Sequence, residues 1–337
     1  MITQQYDKPF KTYDEMIELM EQRNIIVEDK EFAKTVLSNL SYYSLVNGYK
    51  NTFLRVEGTD DFIEGTKFEE LYTINQIDIS LNNIIFKYIL YLERSLKTKV
   101  SYVVSKEYGV YTDPLDLTCS NPSDYLCRNY YSRSTGKRQN ILKNLKQCIT
   151  NNHHNNIIEH YVNNKNHIPA WILTYNVPFG LAIEWYSILK KDDKTYVCDE
   201  FIQCNDVSLE DRKEFLYKAL LLAKEYRNKI AHGNRTFNVS GLPILPKKQL
   251  LKLSNNIITS KEYNKGLSQC DLSSIMILLI LLLNDYFLSS NLLSDFSLLF
   301  LPYENQLFNN KNIYEIFNLP QDILSRLLNL INYKYNL

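Results

Sequence analysis

Arg227, Asn228 and His232 are the residues of this chain whose types and spacing best suit catalysis. They lie in KEYRNKIAHGNRTF, residues 224–237, with four residues between the arginine and the histidine. A histidine can take or give a proton near neutral pH, and a guanidinium can bind two phosphate oxygens at once. The pair suits RNA cleavage without a metal, in which a ribose 2′-hydroxyl attacks the adjacent phosphorus. Asn228 is a candidate for orienting the phosphate or the histidine.

The helix predicted to carry these residues begins at Ser208, where SLED places acids in the first turn, and ends at His232. Its predicted buried stripe consists of Phe215, Leu216, Ala219, Leu220, Ala223, Tyr226 and Ile230. Arg227 lies within about 40° of several of these residues, so its charge needs a partner or a polar cleft. His232 lies about 140° round the helix from Arg227. The two share a face only if the last turn, which Gly233 is suited to end, departs from ideal geometry.

The plain alternative is a solvated arginine followed by a histidine that ends a helix. One further residue bears on the choice. Glu93, in YLERSLKTK, lies on a long helix predicted to pack beside the one that ends at His232, and it is a candidate partner for Arg227. An ordinary surface salt bridge is the alternative for Glu93.

The rest of the chain reads as helical. It has 337 residues with only 9 Gly and 9 Pro, which favours helices over a strand-rich fold. Capping-box spacings at Thr12–Glu15 and Thr66–Glu69 predict two helix starts. We predict an all-α fold with an N-terminal helical segment (1–65), a central domain (66–240) and a C-terminal helical region (241–337). Trp171, Trp185, Phe179 and Gly180 are expected in the core.

A second candidate site is the segment from Tyr125 to Lys146, which interleaves cations with tyrosines. Cations beside aromatic rings are typical of single-stranded RNA binding, because phosphates pair with the former and bases stack on the latter. The predicted RNA-binding residues are Arg128, Arg133, Lys137, Arg138, Lys143, Lys146, Tyr130 and Tyr131. A solvated loop and helix is the alternative interpretation.

Several classes of protein are not expected. The most apolar run, residues 275–283, is too short for the roughly 20 residues that a membrane span needs. The start of the chain lacks the pattern of a secretory signal, so a cytoplasmic protein is expected. The six cysteines and five histidines show no spacing typical of metal ligands, so we expect neither metal nor cofactor. The formal net charge of +0 means that a nucleic-acid surface must come from local clustering.

Four stretches, taken in order, resemble the Abi family of bacterial abortive-infection proteins, and in particular its AbiF/AbiD branch. They are LSNLSYYSLVNGYKNTF, LERSLKTKVSYVVSKEYG, IPAWILTYNVPFG and YRNKIAHGNR. The resemblance covers roughly residues 8–237 and implies a HEPN domain, an all-helical bundle whose signature is matched by Arg227, Asn228 and His232.

The resemblance also implies a function. Many HEPN proteins are metal-independent RNases whose site forms where two modules meet, so one motif per chain implies a homodimer. The expectation is therefore a phage-defence RNase. The alternatives are a non-catalytic protein that binds a small structured non-coding RNA, and a helical adaptor between proteins.

Overall fold

The regular structure of the described chain is predominantly helical. The computed structural model describes residues 8–56, 58–133, 136–151, 156–235, 237 and 241–337. This part of the chain contains sixteen α-helices, one π-helix and two short 3-10 helices, and its β-type pairing is limited to three isolated bridges between single residues. The predicted predominantly helical fold is thus confirmed.

The chain divides into two compact units. The first unit comprises Met1–Asn83 and Phe296–Gln321. It contains α1 (Tyr13–Gln22), α2 (Lys30–Asn39), the π-helix (Tyr43–Asn47), α3 (Gly48–Phe53) and α15 (Ile313–Ile316). The helices α4 (Phe68–Tyr108) and α14 (Tyr286–Phe300) begin in one unit and end in the other. The predicted segment boundaries at 65 and 240 remain a prediction.

The second unit carries the candidate sites. It comprises Ile84–Asp295 and Asp322–Leu337. Its first helices are α5 (Arg138–Thr150), α6 (Asn156–Asn164), α7 (Ala170–Leu173), α8 (Phe179–Ile188), α9 (Lys191–Asp199) and α10 (Leu209–Ala231). They are followed by α11 (Lys247–Leu253), α12 (Ser260–Asn264), α13 (Leu272–Leu282) and α16 (Ile323–Tyr335). Helix α10 packs against α8, α9, α11 and α13, so it is central to this unit.

Local sequence signals set the helix ends, with one correction. The predicted capping box at α1 is present, since Thr12 accepts from the Glu15 backbone and Glu15 accepts from the Thr12 backbone. The box predicted at Thr66–Glu69 is wrong by one residue. Helix α4 begins at Phe68, and the Glu70 carboxylate accepts from the Lys67 backbone at 3.2 Å. The Thr66 hydroxyl instead donates to the Ile63 carbonyl, which ties it to the preceding turn.

Helix α13 is the apolar centre of the C-terminal region. Every residue from Leu272 to Leu282 is buried, and the helix packs against α16. Its last carbonyls, which have no partner within the helix, are capped by the Lys334 ammonium. The Nζ atom donates to Ile280, Leu281 and Leu283 at 2.8, 3.0 and 2.7 Å. No helix in the described ranges is both long and apolar enough to cross a bilayer.

Burial of Lys334 makes the stability of the protein depend on pH. Burial lowers the pKa of this lysine to about 7, whereas an unfolded lysine titrates near about 10.4. Above pH 7 the unfolded chain therefore holds a proton that the folded chain has lost, so the free energy of unfolding contributed by this group rises with pH. We expect a rise of about 2 kcal/mol between pH 7 and pH 9, measured by urea denaturation of the native protein relative to Lys334→Met. Parallel pH profiles of the two proteins would contradict this expectation.

Candidate active site and RNA-binding surface

Helix α10 has well-defined ends, as predicted. The Ser208 hydroxyl accepts from the Asp211 backbone at 3.2 Å and caps the start of the helix. His232 is the C-terminal cap, and Gly233 follows with a φ of 69°. The Gly233 and Asn234 amides return to Ile230 and Lys229, both at 2.9 Å. This pair of bonds is a Schellman motif, which stops the helix directly after the cap residue and fixes the backbone at His232.

The buried face of α10 matches the predicted stripe, apart from Ile230, which is half-buried. Leu216, Leu220 and Tyr226 are fully buried, and the Tyr226 hydroxyl donates to the Cys270 carbonyl at 3.2 Å. Burial raises the pKa of Tyr226 well above its usual range. Because the apolar side of the helix is fully occupied, its position within the second unit is fixed.

Arg227 lies at the edge of this face and is half-buried. Its Nη1 contacts the Asn228 Oδ1 at 3.5 Å, and its Nε is buried without a hydrogen-bond partner. Within the described residues no carboxylate lies within salt-bridge distance of Arg227. Its guanidinium therefore keeps hydrogen-bond donors available for an oxyanion.

His232 is exposed at the end of the same helix. In the part of the chain that the structure describes, its ring forms no hydrogen bond, and neither does it bond to Arg227. The lack of a hydrogen bond between them agrees with the angle of about 140° between the two positions on an ideal helix. One copy of the chain thus holds a guanidinium and an imidazole that are close in sequence but form no hydrogen bond to each other.

Glu93 does not pair with Arg227, contrary to the suggestion drawn from the sequence. Its Oε1 accepts from Lys97, one turn further along α4, at 2.6 Å. The pairing is local because residues four apart on a helix face each other. The other carboxylate oxygen of Glu93 is buried without a partner among the described residues.

Two of the predicted RNA-binding residues are buried and cannot contact RNA. Lys146 is fully buried, and its Nζ donates to the Asp124 carboxylate at 2.6 Å and to the carbonyls of Asp113 and Asp116 at 2.8 Å each. The Tyr131 ring is buried, and its hydroxyl donates to the Tyr125 carbonyl. The prediction for Lys146 is wrong because its ammonium is bound by residues of the loop before α5. The prediction for Tyr131 is wrong because its ring packs near Tyr108 and its hydroxyl accepts from the Trp185 indole.

Two more of the predicted RNA-binding residues, Tyr130 and Arg138, already contact other residues of the chain. The Tyr130 ring stacks on Tyr108 with 4.6 Å between ring centroids, and its hydroxyl donates to the Pro122 carbonyl. Arg138 is half-buried and donates to the Tyr131 carbonyl at 3.3 Å. The exposed cations of the segment, here called the basic surface, are Arg128, Arg133, Lys137 and Lys143.

Trp171 corrects the expectation that the aromatic residues of this region belong to the core. Its side chain is 46% exposed, and Tyr175, four residues later, is 61% exposed. Trp185 and Phe179 are buried as expected, and the Trp185 indole donates to the Tyr131 hydroxyl at 3.1 Å. Helix α7 has only four residues, so its sequence contains no periodicity that could have shown which side chains face solvent.

The described residues contain no group of three or more His, Cys, Asp or Glu side chains close enough to hold a metal ion. At the end of α10, Arg227, Asn228 and His232 offer a guanidinium, a carboxamide and an imidazole. A guanidinium with unmatched donors stabilises a charged phosphate, and an exposed imidazole exchanges protons.

The middle part of the chain, which includes the candidate sites, matches a known protein family. Residues 35–238, more than half of the chain, match the Abi-like protein family, so the chain is a member of that family. Membership suggests abortive infection, a bacterial defence against phage. No curated protein and no solved structure matches the chain. The match ends one residue after Phe237 and includes Arg227 and His232 as well as the basic surface.

Proposed function

We propose that this Abi-like protein is a metal-independent RNase of phage defence, with a HEPN-type site formed by Arg227, Asn228 and His232. The proposal is supported most directly by the lack of neutralising contacts at Arg227 and His232. Both lie at one end of a rigidly packed helix, and neither is neutralised by a contact within the described chain. Polar groups that are held in place but unmatched are suited to bind the charge that develops in a transition state.

The proposed reaction breaks one phosphodiester bond of RNA. His232 takes the proton from a ribose 2′-hydroxyl, and the oxygen attacks the adjacent phosphorus. Arg227 binds the non-bridging oxygens as their negative charge increases. The bond to the 5′-oxygen then breaks, and this oxygen takes a proton from solvent. The products are a 2′,3′-cyclic phosphate and a 5′-hydroxyl, and DNA is not cut because it lacks the attacking hydroxyl.

A homodimer would bring the two groups together. Within one chain Arg227 and His232 form no hydrogen bond to each other, and on an ideal helix they are about 140° apart. A phosphate bound by the arginine of one copy would therefore be placed beside the histidine of a second copy. Two-fold symmetry then creates two equivalent sites from a single motif per chain.

End mapping of the products tests the proposed reaction. Purified full-length protein is incubated with single-stranded RNA, and with DNA of the same sequence, in excess EDTA. We expect RNA fragments with 2′,3′-cyclic phosphate and 5′-hydroxyl ends and intact DNA. Fragments with 5′-phosphates, or activity that EDTA abolishes, would contradict the mechanism.

The basic surface is proposed to supply RNA affinity. Changing Arg128, Lys137 and Lys143 to glutamate should weaken binding of single-stranded RNA and lower the slope of log affinity against log salt by about 2, because three phosphate contacts are lost. The slope is measured by fluorescence anisotropy at several salt concentrations. The matched control changes three exposed lysines outside the basic surface to glutamate, namely Lys218, Lys261 and Lys265. Equal slopes for both triple variants would show that the effect comes from net charge alone.

A non-catalytic role is the second candidate function. The lack of a hydrogen bond between Arg227 and His232 within one chain also suits a protein that binds RNA without cutting it. The RNA could then be a small structured non-coding RNA. In that case Arg227→Ala weakens RNA binding and no cleavage occurs at any protein concentration.

A further inference from the structure

A cavity of about 780 Å³ lies in the second unit, outside the candidate active site. It is bounded by the loop between α9 and α10, by the end of α13 and by the last residues of α16. Its volume lies within the range of roughly 300–1,000 Å³ that is typical of small-molecule sites. A ligand the size of a nucleoside therefore has room to enter.

The walls of the cavity are fixed by hydrogen bonds. The Asn284 side chain donates to the Glu200 carbonyl at 2.5 Å, and Arg212 donates to the Ile202 carbonyl at 2.8 Å. The Tyr335 hydroxyl donates to the Leu283 carbonyl at 2.9 Å, beside the Lys334 ammonium that caps α13. A cavity whose walls are held in this way is formed before any ligand arrives, which lowers the entropic cost of binding.

The polar groups left over in the cavity are mainly carboxamides. Gln203, Asn205 and Asn336 line it, and their side chains form no hydrogen bond to any residue in the described ranges. Each carboxamide offers both donors and an acceptor in one plane. The Tyr333 ring is 42% exposed and adds an aromatic face. Planar donor–acceptor edges beside an aromatic ring are the features that bind a flat heterocycle.

The charges argue against a phosphate and in favour of a base with amino protons. Of the two lysines in the lining, Lys99 lies 3.5 Å from the Glu200 carboxylate and Lys334 is occupied by its three carbonyls. Asp206, by contrast, is an exposed lining residue whose carboxylate has no salt-bridge partner among the described residues. A carboxylate accepts hydrogen bonds from exocyclic amino groups and repels phosphate.

From these features we infer that the cavity is a binding site for a nucleobase that carries an exocyclic amino group. Asp206 accepts from the amino group, the carboxamides of Gln203 and Asn205 bond the remaining edge, and Tyr333 contacts the face of the ring. The base belongs either to a free nucleoside or to a single-stranded RNA whose phosphates stay outside the cavity. This inference does not rest on cleavage by Arg227 and His232.

Binding to full-length protein tests the inference. Calorimetry is performed with adenosine, guanosine, cytidine, uridine and ribose, and anisotropy with short single-stranded RNAs made only of A, C or U. We expect at least one amino-bearing base to bind, and uridine and ribose to bind about tenfold or more weakly. Binding of nucleosides identifies a free ligand, whereas binding of A- or C-containing RNA alone identifies RNA as the source.

Variants of the lining residues test whether nucleosides or RNA bind in this cavity. Gln203→Ala/Asn205→Ala should weaken binding about tenfold or more, and Asp206→Asn should reduce the discrimination against uridine. The matched control is Asn305→Ala/Gln306→Ala, which removes an exposed asparagine and glutamine elsewhere. The inference is overturned if no nucleoside or RNA binds, if ribose or uridine binds equally well, or if the cavity variants behave like the control.

Discussion

Cleavage of single-stranded RNA should fall by about 10²–10⁴-fold when His232 is replaced by alanine, because the reaction loses its general base. Affinity for RNA should stay largely intact, since in the proposed mechanism His232 transfers a proton and the basic surface supplies the phosphate contacts. The rate constant is measured in single-turnover conditions, with RNA affinity determined on the same preparation. His160→Ala is the matched control, because His160 is also exposed and on a helix but far along the chain from α10.

A mixing experiment tests whether the arginine and the histidine come from different copies. Arg227→Ala and His232→Ala proteins are each expected to be inactive. After co-expression, random pairing gives mixed dimers in half of the population, each with one intact site, so activity should return to about a quarter of the native level. Full activity of His232→Ala alone would disprove the mechanism, and the absence of any recovery would show that both groups act within one chain.

Replacing Lys146 by methionine should destabilise the protein by about 3–5 kcal/mol, because the buried Asp124 carboxylate loses its counterion. The carbonyls of Asp113 and Asp116 also lose their donor. The free energy of unfolding is measured by urea denaturation. Lys143→Met is the matched control on the same helix, since Lys143 is exposed and its loss should change stability by no more than about 0.5 kcal/mol.

A double variant separates the ion pair from other effects of the substitution. Adding Asp124→Asn to Lys146→Met removes the unmatched charge, so the double variant should lose less stability than the two single variants combined. The interpretation of Lys146 as a structural residue fails if Lys146→Met unfolds like the native protein but binds RNA more weakly.

Much of the fold follows from local rules that the sequence displays directly. The capping of α10 by Ser208 and its termination before Gly233 are predictable because capping depends on a few adjacent residues. The burial of Lys146 was also visible in principle. It lies four residues after Leu142 and three before Ile149, in the row of α5 that the structure buries.

Other features depend on contacts between distant parts of the chain. The partner of Lys146 is Asp124, in a loop without hydrophobic periodicity, so the pair could not be identified from spacing. The exposure of Trp171 could not be predicted from the sequence either, because it depends on which residues pack around the four-residue helix α7. For Arg227 and His232, the sequence predicted their separation on the helix, while the unmatched Nε of Arg227 required coordinates.

The Schellman motif at Gly233 fixes the backbone at His232, so the position of His232 relative to Arg227 depends on the number of main-chain residues between them. Apart from its chain neighbours, no atom of the described residues lies within 4 Å of where a Cβ would sit on Gly233, so its backbone conformation, rather than crowding, is what requires glycine. For protein engineering, this means that the number of residues between Arg227 and His232 has to be kept. Neighbouring exposed side chains can be exchanged, but adding or removing one residue would turn the imidazole by about 100° relative to the guanidinium.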